Sequence, residues 1–159
     1  MPEPRLATSA DAAEIARLRS ENILSEPLDE AWLTTCTEQL ALRLQAGGDA
    51  RAYVVDSPTR GLATCALGLV HAVLPAPKYP RGLAVRIHAV ATDPAHRRHG
   101  YAKAALASLL DHLERDGVTL YELYASSGSA PLYEQLGSAS DSALMRMTRF
   151  PASVEGSGS

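Results

Sequence analysis

The feature that most limits the fold is a change of period within one stretch, Val85 to Leu113, which reads VRIHAVATDPAHRRHGYAKAALASLLDHL. Its first part, Val85 to Thr92, is apolar and β-branched enough to form a buried strand. Asp93-Pro94 stops that strand, because proline has no N–H for a ladder and fixes its own φ. Ala95 to Tyr101 then supplies two arginines, two histidines and one glycine. Beyond it, Ala102, Ala105, Leu106, Leu109, Leu110 and Leu113 recur at three- and four-residue steps, as on one face of a helix. The order is strand, basic glycine-containing loop, helix.

That order has a chemical use. The first N–H groups of a helix have no intrahelical partner and lie at the positive end of its dipole, which suits an anion, above all phosphate. Arg97, Arg98 and His99 add cationic side chains there, and Gly100 has no Cβ to keep a phosphate off the backbone. A phosphate or pyrophosphate site at Arg98 to Ala102 is one reading. An ordinary basic turn leading into an amphipathic helix is the other.

Two patterns favour the first reading. Arg97-Arg98-His99-Gly100-Tyr101-Ala102 fits R/Q-x-x-G-x-G/A, and the run Leu132-Tyr133-Glu134-Gln135-Leu136-Gly137 follows a strand and a serine-rich loop downstream. In this order the two resemble the markers of the GNAT N-acetyltransferase superfamily, and Val90 to Pro94 resembles the end of its fourth strand. The resemblance spans roughly Arg5 to Arg149 and is sharp from Val85 to Gly137.

Length and composition are ordinary for a soluble globular domain. At 159 residues the chain is expected to form one domain over 1–150 with a flexible tail from Pro151 to Ser159. A hydrophobic content of 46%, a charged content of 21% and a formal charge of −3 give no general pull toward nucleic acid. No apolar run reaches the length of a membrane span, and the N-terminus has no signal-peptide core, so a cytoplasmic location is expected. Cys36 and Cys65 read as small core hydrophobes, and no Cys/His group has the spacing of a metal site.

Along the chain, Arg5 to Thr8 reads as a short strand and Ala12 to Leu24 as a helix, with Asp11 and Glu14 as a capping box. Asp29 caps a second helix with Trp32, Leu33, Cys36, Leu40 and Leu44 on one face. Arg51 to Asp56 and Leu62 to Leu74 form a hairpin. After the proline-rich loop Pro75 to Gly82 and the central stretch, Gly117 ends the third helix. Val118 to Ala125, Ser129 to Leu136 and Ala143 to Phe150 read as strand, helix and strand. The fold class is α/β (α+β): a mixed, mostly antiparallel sheet of six or seven strands with about four helices. The resemblance implies the same, with pantetheine lying in a splay between the fourth and fifth strands.

The resemblance also implies roles. The diphosphate of acetyl-CoA, the co-substrate, would lie on the backbone N–H groups of Arg98, His99, Gly100, Tyr101 and Ala102, beside Arg97. Val90 and Thr92 would bond pantetheine through their backbone, and the Val90 N–H would polarise the thioester. Tyr133 would protonate the leaving thiolate, the alternative being a core tyrosine. His88, two residues before Val90 and so expected on its strand face, is a candidate base or a structural polar residue in the sheet. His71 ranks below it, His96 and His99 belong with phosphate, and His112 is expected to face solvent. The sequence departs from the family where Arg86 replaces a glutamate, where Ser138 replaces an aromatic, and where Ser126, Ser127 and Ser129 replace asparagine.

The activity implied is acetyl-CoA-dependent N-acetylation of a small-molecule primary amine by direct attack in a ternary complex, with no metal. A protein or peptide N-acetyltransferase and a non-catalytic acyl-CoA-binding domain stay open beside it. Neither nucleic acid nor membrane is an expected partner, and a homodimer is the candidate assembly. Substrate contacts are expected from Ser25 to Asp29 and from Pro75 to Gly82. Glu21, Glu26, Asp29 and Glu30 would either attract a cationic amine or form a solvated acidic face.

Overall fold

The change of period after Pro94 is realised as strand, turn and helix in a computed structural model, which describes residues 3–24, 26–124, 130–139 and 145–150. Two units divide the chain, Met1–Ser126 and Ser127–Ser159. The first holds β1 (Arg5–Leu6), α1 (Ala12–Asn22), α2 (Glu30–Arg43), β2 (Ala50–Asp56), β3 (Leu62–Ala72), β4 (Leu83–Thr92), α3 (Tyr101–Arg115) and β5 (Leu120–Leu123). The second holds α4 (Ala130–Gln135).

The sheet order is β1-β2-β3-β4-β5. The first three pairings are antiparallel and β4–β5 is parallel, with α3 as the crossover a parallel pair requires. The sheet is therefore mixed and mostly antiparallel. It has five strands among the described residues rather than six or seven. Of the strand expected over Ala143 to Phe150, Ala143 and Leu144 lie outside the described residues, while residues 145–150 carry no strand, and Met145, Met147 and Phe150 are exposed. Alternating apolar residues make a strand only where a ladder receives them. Met1, Pro2, Ser25, residues 125–129, residues 140–144 and the tail from Pro151 lie outside the described residues.

Each sheet face is covered by helix. On one, Ile15, Leu18 and Leu40 pack with Val54, Cys65, Leu67, Ala89 and Ala91. On the other, α3 lies against β2 and β3 and buries Leu106, Leu109 and Leu113 completely or nearly so. Each such leucine contributes on the order of 2 kcal/mol of burial. The helix ends as the sequence predicts: Gly117 has φ +89°, its N–H reaches the Glu114 carbonyl at 3.0 Å, and the Val118 N–H reaches that of Leu113 at 3.1 Å.

Three local expectations are corrected. The box before α1 closes between Thr8 and Asp11, whose carboxylate accepts the Thr8 N–H at 2.9 Å, rather than between Asp11 and Glu14. Glu14 instead accepts the Leu62 N–H at 2.9 Å and binds Arg17, tying α1 to the start of β3. Asp29 does cap α2, accepting the Trp32 N–H at 2.8 Å, but Trp32 itself is 63% exposed, so the buried face of α2 is narrower than its sequence implies. His112 does not face solvent: its Nδ1 lies 3.2 Å from the Tyr53 hydroxyl and its Nε2 3.4 Å from Asp116.

Candidate active site

Thr92 is the last residue of β4, and Asp93 turns the chain. The Asp93 N–H bonds the Ala63 carbonyl at 2.8 Å, and its carboxylate accepts the Ala95 N–H at 3.0 Å and meets Arg17 at 3.4 Å. That hydrogen bond to Ala95, more than Arg17, holds the Asp93 carboxyl below the usual range. The next turn contains Arg98 at φ +68°, which among the described residues is the one non-glycine residue in the left-handed region, and Gly100 at φ +75°. A left-handed Gly100 followed by right-handed Tyr101 is a pairing of hands that turns successive N–H groups to one side.

The helix delivers the donors. The first N–H of α3 bonded back is that of Ala104, to the Gly100 carbonyl at 3.1 Å. Those of Tyr101, Ala102 and Lys103 have no partner within the helix. A Cβ at Gly100 would meet no heavy atom within 4 Å, so the space above this turn is open. Arg98, His99 and Gly100 are exposed, and the His99 ring stacks on Tyr101 at 5.4 Å between centroids. Arg97 is tethered to Asn22 of α1 at 3.1 Å. His96 is turned away from the loop, its Nε2 lying 3.1 Å from the Ser57 hydroxyl.

Beside the loop lies the end of β4. Among the described residues, its pairing with β5 covers Ala84 to Ile87. Because the Asp93 N–H points to β3, alternation turns that of Ala91 the same way and those of Val90 and Thr92 the other way, toward the β5 side. No described residue pairs there.

His88 is not where alternation alone would put it. Leu67 of β3 faces Ala89, and its neighbour Gly68 faces Ile87, so His88 is an extra residue in a β-bulge. A Cβ at Gly68 would come within 2.7 Å of Val85 Cγ2 and 3.3 Å of Ile87 Cδ1, which places Val85 and Ile87 on one face. Arg86 and His88 are on the other, with Ala89 and Ala91, toward α1 and α2. His88 therefore does not share the face of Val90 and Thr92. It is exposed there, and its pKa lies below the ordinary histidine value. Desolvation by surrounding protein is the first cause; the charges of Arg19, Arg86 and Arg43 act in the same sense, and Asp49 opposes them.

The remaining candidates separate. His71 is exposed opposite Ala84, at the far end of β4 from Val90. Cys65 is fully buried, and burial pushes its thiol up to about 12, so it is a packing residue and no nucleophile. Cys36 is half-buried. Tyr133, in the second unit, is buried on α4, and burial raises its phenol pKa. Ser126, Ser127 and Ser129 lie outside the described residues. Arg19 and Tyr124 were not read as site residues from the sequence. Tyr124 meets Arg86 through tertiary contact, and Arg19 lies on α1, which packs on β4, so no local pattern encodes either.

The sequence and the fold each match known proteins. The model of the acetyltransferase (GNAT) family matches residues 19–138. Over 54 residues the chain is 46% identical to mycothiol acetyltransferase of Brachybacterium faecium. That match covers 32% of this chain and 16% of the relative, so the chain spans a small part of that protein's length. A predicted acetyltransferase of Clostridium acetobutylicum, solved with acetyl-CoA, superposes with a TM-score of 0.79 at 17% identity, over 93% of this chain and 96% of that one. A GCN5-related N-acetyltransferase of Ralstonia eutropha gives a TM-score of 0.76 at 20% identity, over 93% and 99%.

Proposed function

Since the chain belongs to the acetyltransferase (GNAT) family, we propose that it transfers the acetyl group of acetyl-CoA to the primary amine of a small molecule within a ternary complex. The observation that carries this reading is a single juxtaposition. A basic turn with two left-handed residues, Arg98 and Gly100, stands at the end of a strand whose Val90 and Thr92 N–H groups point away from β3.

The residues present fit acetyl-CoA. Open space over Gly100 and the unbonded N–H groups of Tyr101 and Ala102 suit a diphosphate, with Arg98 and His99 as exposed cations beside it. The pantetheine amides find in the β4 edge the main-chain partners that a sheet strand would otherwise supply. Acetyl-CoA supplies a thioester carbonyl open to an amine. The Val90 N–H donates to that carbonyl oxygen as charge grows on it.

Two proton movements complete the balance. The amine nitrogen forms a C–N bond as the C–S bond breaks, and it loses one proton. His88, neutral near pH 7 because protonation is disfavoured at its site, accepts that proton. Tyr133, whose raised pKa keeps the phenol protonated, gives its proton to the thiolate and regains one from solvent. The small-molecule acceptor draws support from the partial similarity to mycothiol acetyltransferase.

The test is a thiol-release assay with acetyl-CoA and a panel of small amines and peptides. Turnover confined to small amines, falling by roughly 10²-fold in His88→Ala and Tyr133→Phe, is expected. Turnover of peptides alone, or full activity in both variants, contradicts the assignment.

A further inference from the structure

The turn between β4 and α3 is tied to distant parts of the fold by three of its own side chains. Asp93 meets Arg17 of α1 at 3.4 Å. His96 meets the hydroxyl of Ser57, the first residue after β2, at 3.1 Å. Arg97 donates to Oδ1 of Asn22, the last residue of α1, at 3.1 Å.

Each holder is itself fixed. Asn22 donates its Nδ2 to the Leu18 carbonyl at 3.0 Å, which orients the amide and leaves Oδ1 for Arg97. The Ser57 hydroxyl oxygen accepts the N–H groups of Thr59 at 3.2 Å and Arg60 at 3.3 Å, so the β2–β3 hairpin sets its position. Arg17 binds Glu14 at 2.8 Å, and Glu14 accepts the Leu62 N–H at 2.9 Å, which joins α1 to the same hairpin. Helix and hairpin thus form one frame around the turn.

The ties end one residue before the strained position. Arg98 is at φ +68°, an uncommon conformation for a residue with a side chain. Such a residue persists where its surroundings over-determine it. Arg98, His99 and Gly100 stay exposed between the last tie, at Arg97, and the first turn of α3. Four basic residues are therefore divided by role: His96 and Arg97 are committed to holding the turn, while Arg98 and His99 are left for a ligand. A site ordered before its ligand arrives loses less conformational freedom on binding.

We propose that Asn22 and Ser57 are positioning residues for acetyl-CoA. Through Arg97 and His96 they hold Arg98 to Ala102 in the shape that accepts the diphosphate, without touching it themselves. The proposal rests on the acetyltransferase reading of the site and deepens it. Arg97 and His96, expected from the sequence to stand with phosphate, act on the turn instead. Arg17 supplies the third tie, but its bonds to Glu14 and Glu21 make it a poor probe.

The experiment uses the full chain with Asn22→Ala, Asn22→Asp, Ser57→Ala and the two alanine changes combined. The alanine changes alter no charge. Calorimetric titration gives affinities for acetyl-CoA and for S-acetylpantetheine, which lacks the phosphates, and amide exchange of the free protein reports on the turn itself. Each alanine variant is expected to bind acetyl-CoA about three- to ten-fold more weakly, and the combined variant more weakly than either. S-acetylpantetheine affinity stays within about two-fold, and exchange at residues 95–100 quickens. Asn22→Asp recovers part of the loss, because it keeps an acceptor for Arg97. Acetyl-CoA affinity that is unchanged or higher in either alanine variant overturns the inference, since a released Arg97 or His96 would then serve phosphate at least as well as a tethered one. An equal loss for S-acetylpantetheine overturns it as well, because the damage would then reach beyond the turn. So does exchange at residues 95–100 that matches the wild type. Absence of acetyl-CoA binding in the wild type overturns the acetyltransferase reading instead.

Discussion

Thr64 and Thr92 face each other across the β3–β4 ladder with their hydroxyl oxygens 2.7 Å apart. Thr64 spends its proton on the Ala91 carbonyl, also at 2.7 Å, so Thr92 donates to Thr64. Thr64 is fully buried, and this short chain of bonds pins the end of β4 where the basic turn begins. Replacing Thr64 with valine keeps the shape and removes both bonds. A loss of about 1–2 kcal/mol is expected, read as a lower denaturant midpoint at unchanged m-value.

Gly100 separates conformation from charge. It is left-handed with open space around its would-be Cβ, so Gly100→Ala meets no neighbour and costs about 1 kcal/mol of backbone strain. Gly100→Asp adds a negative charge at the helix N-terminus, which helps the helix but repels a diphosphate. The alanine variant should retain most acetyl-CoA affinity. The aspartate variant should lose at least about ten-fold with little further change in melting temperature.

The His88 environment fixes the sign of a pH effect. Desolvation, then Arg19, Arg86 and Arg43, disfavour the protonated ring, so its titration falls below the ordinary value near 6.5. The acid limb of kcat/KM, which reports free enzyme, should lie below that value. Arg86→Met removes a positive neighbour, favours the protonated ring and moves the limb upward. A limb unmoved by that substitution would take His88 out of the role of base.

Much of this was legible in the sequence, and the exceptions share a physical cause. The strand stop at Asp93-Pro94, the helix start at Tyr101, the Asp29 cap and the Gly117 terminus are local, and local chemistry writes them plainly. The bulge is not local. The run Val85 to Thr92 alternates without a visible extra residue, and the clue lay on the partner strand, where Gly68 stands within β3. That one omission sent His88 to the wrong face. The contact of Arg86 with Tyr124 and the capture of His112 by Tyr53 are likewise products of packing between distant segments.

Asp11 offers a stability test away from the site. Burial raises its pKa, but two bonds from Arg5 and one from the Thr8 N–H outweigh that, and the net shift is downward. A depressed carboxylate stabilises the fold above its unfolded pKa near 3.9, and that contribution is lost as pH falls through the lower folded value. Asp11→Asn should cost about 1–3 kcal/mol at pH 7, discounted for the half-exposed Arg5. Denaturant titrations of the two proteins should converge as the pH is taken below about 4.

The most direct test of the central claim is calorimetric titration with acetyl-CoA, with S-acetylpantetheine, which has the thioester arm but no phosphates, as the control. The account predicts micromolar binding of acetyl-CoA and at least about ten-fold weaker binding of the control, because the turn from Arg98 to Ala102 is where the phosphates are held. Equal affinity for the two would remove the phosphates from that turn. No binding of acetyl-CoA up to millimolar concentration would contradict the account at its root.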